Sequence, residues 1–171
     1  MSLEKLYNGE KIKVKYEKNI INPDGITLTK KNCEKEIIIP KGFDPLDNPI
    51  VFKQEGNELP GFKSSNLIVS ITQVQNVNFL RKGMDLFYTK ELTLLEALMA
   101  KPFQIQSING RDLLVPVTDI INPQSVIKLT GEGMVNDQGS KTERGNLYIK
   151  FHITFPEFIS LDDKNILSSI L

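Results

Sequence analysis

The longest clean alternation of apolar and polar residues lies near the end of the chain, where Leu147, Ile149, Phe151, Ile153 and Phe155 take every second position before Pro156. A period of two marks a strand with one buried face, and a one-residue slip would expose all five side chains, so that face fixes the register. A second alternation sets Ile12, Val14 and Tyr16 between Lys11, Lys13 and Lys15 and predicts a half-buried strand with a basic outer face. Before it, Leu3, Leu6 and Tyr7 predict one short helical turn ended by Gly9, because glycine tolerates the left-handed conformation at a helix end. Asn22-Pro23-Asp24-Gly25 predicts a turn: proline presets φ, aspartate bonds locally and glycine takes a positive φ. Further strands are expected at Ile37–Ile39, Ile50–Phe52 and Leu67–Ile71, with Lys30 to Glu36 as a polar run and Asp44 to Pro49 as a loop.

In the second half Phe79, Leu86 and Phe87 flank a Lys82-Gly83 turn, and Thr93 precedes a helical stretch of Leu94, Leu95, Ala97, Leu98 and Met99 that Pro102 closes. Phe103/Ile105 and Leu113/Val115 flank Asn109-Gly110, a hairpin signal. The tail differs: Ser160 can cap a helix start, with Asp162 and Asp163 in its first turn and Ile166/Ile170 and Leu167/Leu171 as i, i+4 apolar pairs. A helix of about ten residues cannot hold itself in water, so the stripe must pack on this chain or on another copy.

The two halves also echo each other. Ile50 to Gly56 is answered by Ile127 to Gly133, and each is followed after a polar loop by an alternating strand, Asn66 to Ile71 and Asn146 to Phe151. The spacing is too long for a solenoid repeat of about 20–50 residues and reads as a duplicated small β domain. The expected boundaries are 1–74 and 75–157, with 158–171 as a terminal segment. Where the first copy has Ile12, Val14 and Tyr16 beside lysines, the second has Phe103, Ile105 and Ser107 beside Pro102, Gln104 and Gln106. That difference points to the first copy as the binding domain.

Composition narrows the partners. Lys plus Arg equals Asp plus Glu at 21 each in 171 residues, so nothing pulls the whole chain towards nucleic acid or an anionic membrane. No apolar run approaches the ~20 residues of a membrane span, no signal segment opens the chain, and the cytoplasm is the expected compartment. Met1-Ser2-Leu3 runs directly into a patterned segment, as expected of a piece of a longer chain. Cys33 stands alone, which rules out an internal disulfide and a cysteine-rich zinc site; it reads as an incidental thiol. His152, the single histidine, falls on the polar side of its strand and reads as solvated. Gly131-Glu132-Gly133 lacks the Gly-Lys-Ser/Thr ending of a phosphate loop, and its echo at Glu55-Gly56 assigns it to a sheet turn. With no carboxylate pair or nucleophile marked out, the chain is expected not to be an enzyme and to need no metal or cofactor. Two readings of Ile12, Val14 and Tyr16 stay open: a face turned to the core, or an apolar groove near a sheet edge that takes an extended peptide by strand addition. Lys11, Lys13 and Lys15 are a solvated face or partners for an acidic peptide.

A series of motifs carries a resemblance. Ser2-Leu3-Glu4-Lys5-Leu6-Tyr7-Asn8-Gly9, Asn22-Pro23-Asp24-Gly25, Lys41-Gly42-Phe43, Glu55-Gly56-Asn57-Glu58, Arg81-Lys82-Gly83-Met84-Asp85-Leu86, Leu95-Glu96-Ala97-Leu98, Asn109-Gly110-Arg111, Gly131-Glu132-Gly133-Met134 and Arg144-Gly145-Asn146-Leu147 follow in order. Together they resemble the carboxy-terminal substrate-binding and dimerisation region of the J-domain co-chaperones (the DnaJ family), in the class without the cysteine-rich zinc domain. The resemblance implies a mainly β fold: two tandem, similarly folded β-sandwich domains with short helices and a C-terminal dimerisation helix. It implies a shallow groove for unfolded client polypeptide at Ile12, Val14, Tyr16 and Val69. It places the acidic tail of the seventy-kilodalton heat-shock chaperone at Lys13 and Lys15, and a homodimer contact at Phe158, Leu161, Ile166, Leu167, Ile170 and Leu171.

The pattern departs from the family at Asn76, where histidine is common, at Asp47-Asn48-Pro49 in place of Gly-Thr-Lys, and at Ile12, where a basic residue is common. The last change makes the groove more apolar. The family's first short strand precedes this sequence, which leaves one groove wall missing or supplied by residues before Met1. The sequence holds no His-Pro-Asp motif and is not expected by itself to stimulate a partner's ATPase. A binding protein for non-native chains is the leading expectation; the alternative is a scaffold subunit of a fixed assembly, such as an axoneme, that uses the same fold with a repurposed groove.

Overall fold

A chain that alternates apolar and polar residues between Gly, Pro and Asn punctuation can bury its side chains only by pairing strands. The computed structural model describes residues 1–46, 49–137 and 142–170, and is mainly β. In chain order the elements are α1 (Leu3–Asn8), β1 (Glu10–Ile21), β2 (Leu28–Ile39), β3 (Ile50–Phe52), β4 (Leu67–Val69), β5 (Phe79–Lys82), β6 (Asp85–Thr93), α2 (Leu94–Met99), β7 (Phe103–Gln106), β8 (Asp112–Val115), β9 (Val126–Leu129), β10 (Val135–Asp137), β11 (Thr142–Arg144), β12 (Leu147–Thr154) and α3 (Leu161–Ile170). Four antiparallel pairs, β1–β2, β3–β4, β7–β8 and β10–β11, accompany a four-stranded sheet in the order β5–β6–β12–β9. None of these sheets closes into a barrel. Two compact units result, one of residues 1–77 with 134–144, the other of residues 78–133 with the chain from 145 onward.

In the first unit α1 is capped by Ser2, whose Oγ accepts from the Lys5 N–H, and ends at Gly9 with φ +71°. Its Leu3, Leu6 and Tyr7 are buried. β1 and β2 then form a hairpin of twelve residues on each side, from Glu10↔Ile39 to Ile21↔Leu28. Around its turn Asp24 Oδ1 accepts from the N–H groups of Ile26 and Thr27. The polar run from Lys30 to Glu36 is the middle of β2, which therefore begins well before the expected strand at Ile37–Ile39. Its charges are met across the sheet: Lys30 pairs with Glu17 at 2.7 Å and Glu34 with Lys13 at 3.5 Å. β4 stops at Val69, two residues short of the expected Ile71. The β10–β11 hairpin, which no sequence pattern predicts, completes this unit's core with buried Met134 and Val135. Gly42, at φ +76°, lies so close to the Val135 carbonyl that a Cβ would collide with it, so only glycine fits there.

In the second unit the predicted long alternation buries Leu147, Ile149 and Phe151, in a core that also holds Leu86, Leu92, Ile105 and Val115. Phe155, expected on the same face, is 68% exposed, because β12 ends at Thr154 and Pro156 follows. α2 starts with a capping box, Thr93 Oγ1 accepting from the Glu96 N–H and the Glu96 carboxylate from the Thr93 N–H. The internal echo is structural: β3 pairs with β4 through Ile50↔Val69 as β9 pairs with β12 through Ile127↔Ile149. After each first strand an equivalent glycine bonds across the loop, the Gly56 N–H to the Ser65 carbonyl and the Gly133 N–H to the Gly145 carbonyl.

Candidate functional site

The first unit offers an open strand edge beside an apolar face. In an antiparallel pair, alternate residues aim their backbone groups at the partner strand and the rest aim them outward. The Asn19 carbonyl accepts from the Glu58 N–H, and the Asn19 N–H donates to Asn57 Oδ1 at 2.9 Å. Ile21 N–H donates to Glu58 Oε2 at 3.1 Å. The odd residues of β1 therefore face away from β2. Near the hairpin tip this outward edge is clamped by Asn57 and Glu58. From Lys11 through Lys13 and Lys15 to Glu17 it pairs with no other strand among the described residues.

The even residues build the face. Ile12, Val14 and Tyr16 stand opposite Ile37, Lys35 and Cys33, and each of the three is half-buried. On β3–β4 the residues Ile50, Phe52, Leu67 and Val69 share one face by the same alternation, and all four are half-buried. Lys35 joins these faces. Its Nζ lies 2.6 Å from both carboxylate oxygens of Glu55 and 4.5 Å from the centre of the Phe52 ring. Tyr16 OH makes a long 3.5 Å contact to the Glu55 carbonyl. Ile12, Val14 and Tyr16 are thus brought together on β1, and Val69 lies on the facing sheet, with no hydrogen bond or ring contact to them. A recess of about 540 Å³ opens at the far end, lined by Lys15, Tyr16, Glu17, Asn32, Cys33 and Glu34. Cys33 there is half-buried, its Sγ 3.8 Å from the Lys31 carbonyl.

Electrostatics on the other face of the hairpin is balanced. Lys13 and Lys15 are exposed and stand opposite Glu36 and Glu34, and Lys13 reaches Glu34 at 3.5 Å. At the clamp, the Ile21 N–H, then Lys18 at 3.2 Å, hold the Glu58 carboxyl below the usual carboxylate range. Sequence reasoning passed over Lys35, Glu55, Asn57 and Glu58 as site residues. Their signal is a polar cluster directly after a short apolar strand, repeated in type as Thr130 to Glu132 in the second half.

His152 is exposed on the outer face of β12 opposite Glu91, and no cluster of three or more metal-ligating side chains occurs among the described residues. No described helix is long and apolar enough to cross a membrane. The residues expected at a homodimer contact divide differently. Phe158, Leu161, Ile166 and Ile170 are exposed, Ile170 at 72%, while Leu167 borders a second recess, of about 340 Å³, with Leu94, Leu95, Leu98 and Phe155. Leu171 lies outside the described residues, as do Asp47 and Asn48 of the expected family departure.

Comparison with known proteins adds a second line. A family model described as the DnaJ C terminal domain matches residues 1–156. The chain is 29% identical over all 171 residues to DnaJ homolog subfamily B member 5 of Homo sapiens, covering 49% of that protein. It is 29% identical over its full length to the human DnaJ homolog subfamily B member 13, covering 54%. Mitochondrial protein import protein mas5 of Schizosaccharomyces pombe is 36% identical over 110 residues, 63% of this chain and 26% of that protein. The chain spans about half the length of the curated relatives that match it throughout.

Proposed function

The chain belongs to the DnaJ C-terminal domain family, and from that premise we propose that it is the client-binding part of a DnaJ-type co-chaperone, holding non-native polypeptide in extended form on the first unit. The observation that carries this reading is the free edge of β1 from Lys11 to Glu17 beside the half-buried face of Ile12, Val14 and Tyr16. An added strand would take backbone hydrogen bonds from the odd residues, which gives affinity without reading sequence. Its alternate side chains would reach the apolar face, including Val69. A face of aliphatic and Tyr side chains accepts many apolar partners, and binding of this kind needs no catalytic group.

The client would then pass to a seventy-kilodalton heat-shock ATPase chaperone, whose acidic tail would meet Lys13 and Lys15. The Lys13–Glu34 pair is exposed, and such pairs contribute about 0–1 kcal/mol, so an incoming carboxylate can replace Glu34 at little cost. Dimerisation through α3 would put two such edges on one particle and raise avidity.

The test is suppression of aggregation of a chemically denatured client. Val14→Asp should weaken suppression, and client peptides N-methylated at alternate backbone positions should bind poorly to the unaltered protein. Full suppression by Val14→Asp would sink the face assignment. No suppression by the unaltered protein, with the hairpin intact by amide exchange, would favour the scaffold alternative.

A further inference from the structure

The four-stranded sheet of the second unit has an outer face of unusual make-up. Across it, in register, stand Leu80 on β5, Phe87 on β6, Tyr148 on β12 and Lys128 on β9. The Phe87 and Tyr148 rings stack at 5.1 Å with planes 16° apart. Lys82 and Lys150 lie over the Phe87 ring at 5.3 and 5.7 Å, and Lys128 over Tyr148 at 5.9 Å. These separations are near the ~6 Å limit of a cation–π contact, so the ammonium groups are held loosely. None of the three lysines pairs with a carboxylate among the described residues. Asp85, opposite Lys82, accepts instead from the Asn146 backbone N–H at 2.7 Å and side-chain amide at 3.4 Å. Glu91 lies four residues along β6 from Phe87, opposite His152. In a chain of zero net charge, three lysines without an ion-pair contact around one apolar platform, against the nearby carboxylate of Asp85, leave a local positive site. Leu80, 60% exposed, is its apolar edge.

We propose that this face binds an acidic peptide segment carrying a large apolar side chain. Carboxylates would meet Lys82, Lys128 and Lys150, and the apolar group would cover Leu80 and the edges of the stacked rings. A single-stranded nucleic acid fits less well, because base stacking needs open ring faces and here the rings stack on each other beneath lysines. An anionic bilayer fits less well too, since three lysines on a pleated sheet lack the deep apolar wedge of a membrane-binding helix. The site lies wholly in the second unit and goes beyond the client edge of the first.

The probe is a short synthetic peptide with one phenylalanine flanked by glutamates, followed by fluorescence anisotropy and by the ring-shifted side-chain resonances of Lys82 and Lys150. The full chain should bind it with an affinity that falls as salt rises. The Lys82→Glu, Lys128→Glu, Lys150→Glu triple variant should bind at least about tenfold more weakly, as expected when several exposed charge contacts are reversed. Leu80→Ser should also weaken binding, while Val14→Asp should leave it unchanged. Equal binding by the triple variant, or loss through Val14→Asp, would overturn the proposal. So would tighter lysine-dependent binding of a short oligothymidine or of phosphatidylserine vesicles than of the peptide.

Discussion

Lys35 occupies an inward position on β2, between Cys33 and Ile37, where alternation calls for an apolar side chain. Its ammonium lies over the Phe52 ring and is held by Glu55, a way for a cation to sit beside an apolar face and keep its charge satisfied. Gly42 shows the opposite constraint, where the absence of a side chain is what matters. Gly42→Ala should destabilise the protein by more than about 2 kcal/mol in urea unfolding, combining a strained positive φ with a steric clash against β10. Gly25→Ala is the control: Gly25 has φ +72° but nothing within 4 Å of a Cβ, and should cost only about 1 kcal/mol. Equal effects would mean that the approach of Val135 contributes nothing.

At the scale of elements, the β1–β2 hairpin is held at its tip by side chains rather than by a third strand. The Glu58 pKa is lowered chiefly by the Ile21 N–H and next by Lys18. A carboxyl with a lowered folded pKa contributes stability that is present above its ordinary value of 4.5 and lost as pH falls through the folded value. Amide protection at Ile21 and Asn19, meaning exchange measured against the intrinsic rate at each pH, should therefore fall as pH drops below 4.5, and Glu58→Gln should flatten that dependence. Asp24, lowered from 3.8 chiefly by the Thr27 hydroxyl, acts in the same direction but is read out at Ile26 and Thr27. An unchanged Ile21 profile in Glu58→Gln would remove the clamp from the account. This hairpin also marks how much the sequence discloses. β1 was legible because its apolar residues alternate, and the turn because Asn22-Pro23-Asp24-Gly25 has only one easy conformation. The middle of β2 was not, because a strand of Lys, Asn and Glu is defined by its backbone pairing to β1, elsewhere in the chain, and not by an apolar pattern of its own. The clamp was hidden for the same reason: Asn57 and Glu58 act on a strand almost forty residues away. The face of Ile12, Val14 and Tyr16 could be read from spacing, whereas the free edge beside it is a property of topology.

For the whole molecule, α3 raises the question of what covers it. Its acidic start is capped, with the Asp163 N–H donating to Ser160 Oγ at 3.1 Å, but Leu161, Ile166 and Ile170 remain exposed. A ten-residue helix with no covered stripe is marginal in water, which supports a second copy as its partner. Deleting residues 160–171 should convert a dimer to a monomer by multi-angle light scattering while leaving the amide-exchange protection of β12 intact. A monomeric full chain would end that reading.

The contribution of β10–β11 to the first unit also orders events during synthesis. Met134 and Val135 complete a core whose other members lie before residue 78. The first unit therefore cannot close when its own stretch leaves the ribosome, but only after Arg144 has followed, 144 − 77 = 67 residues later. At about 5–20 residues per second that is a wait of roughly 3–13 s, during which the core of the first unit stays incomplete in a nascent chain that itself resembles what the finished protein would hold.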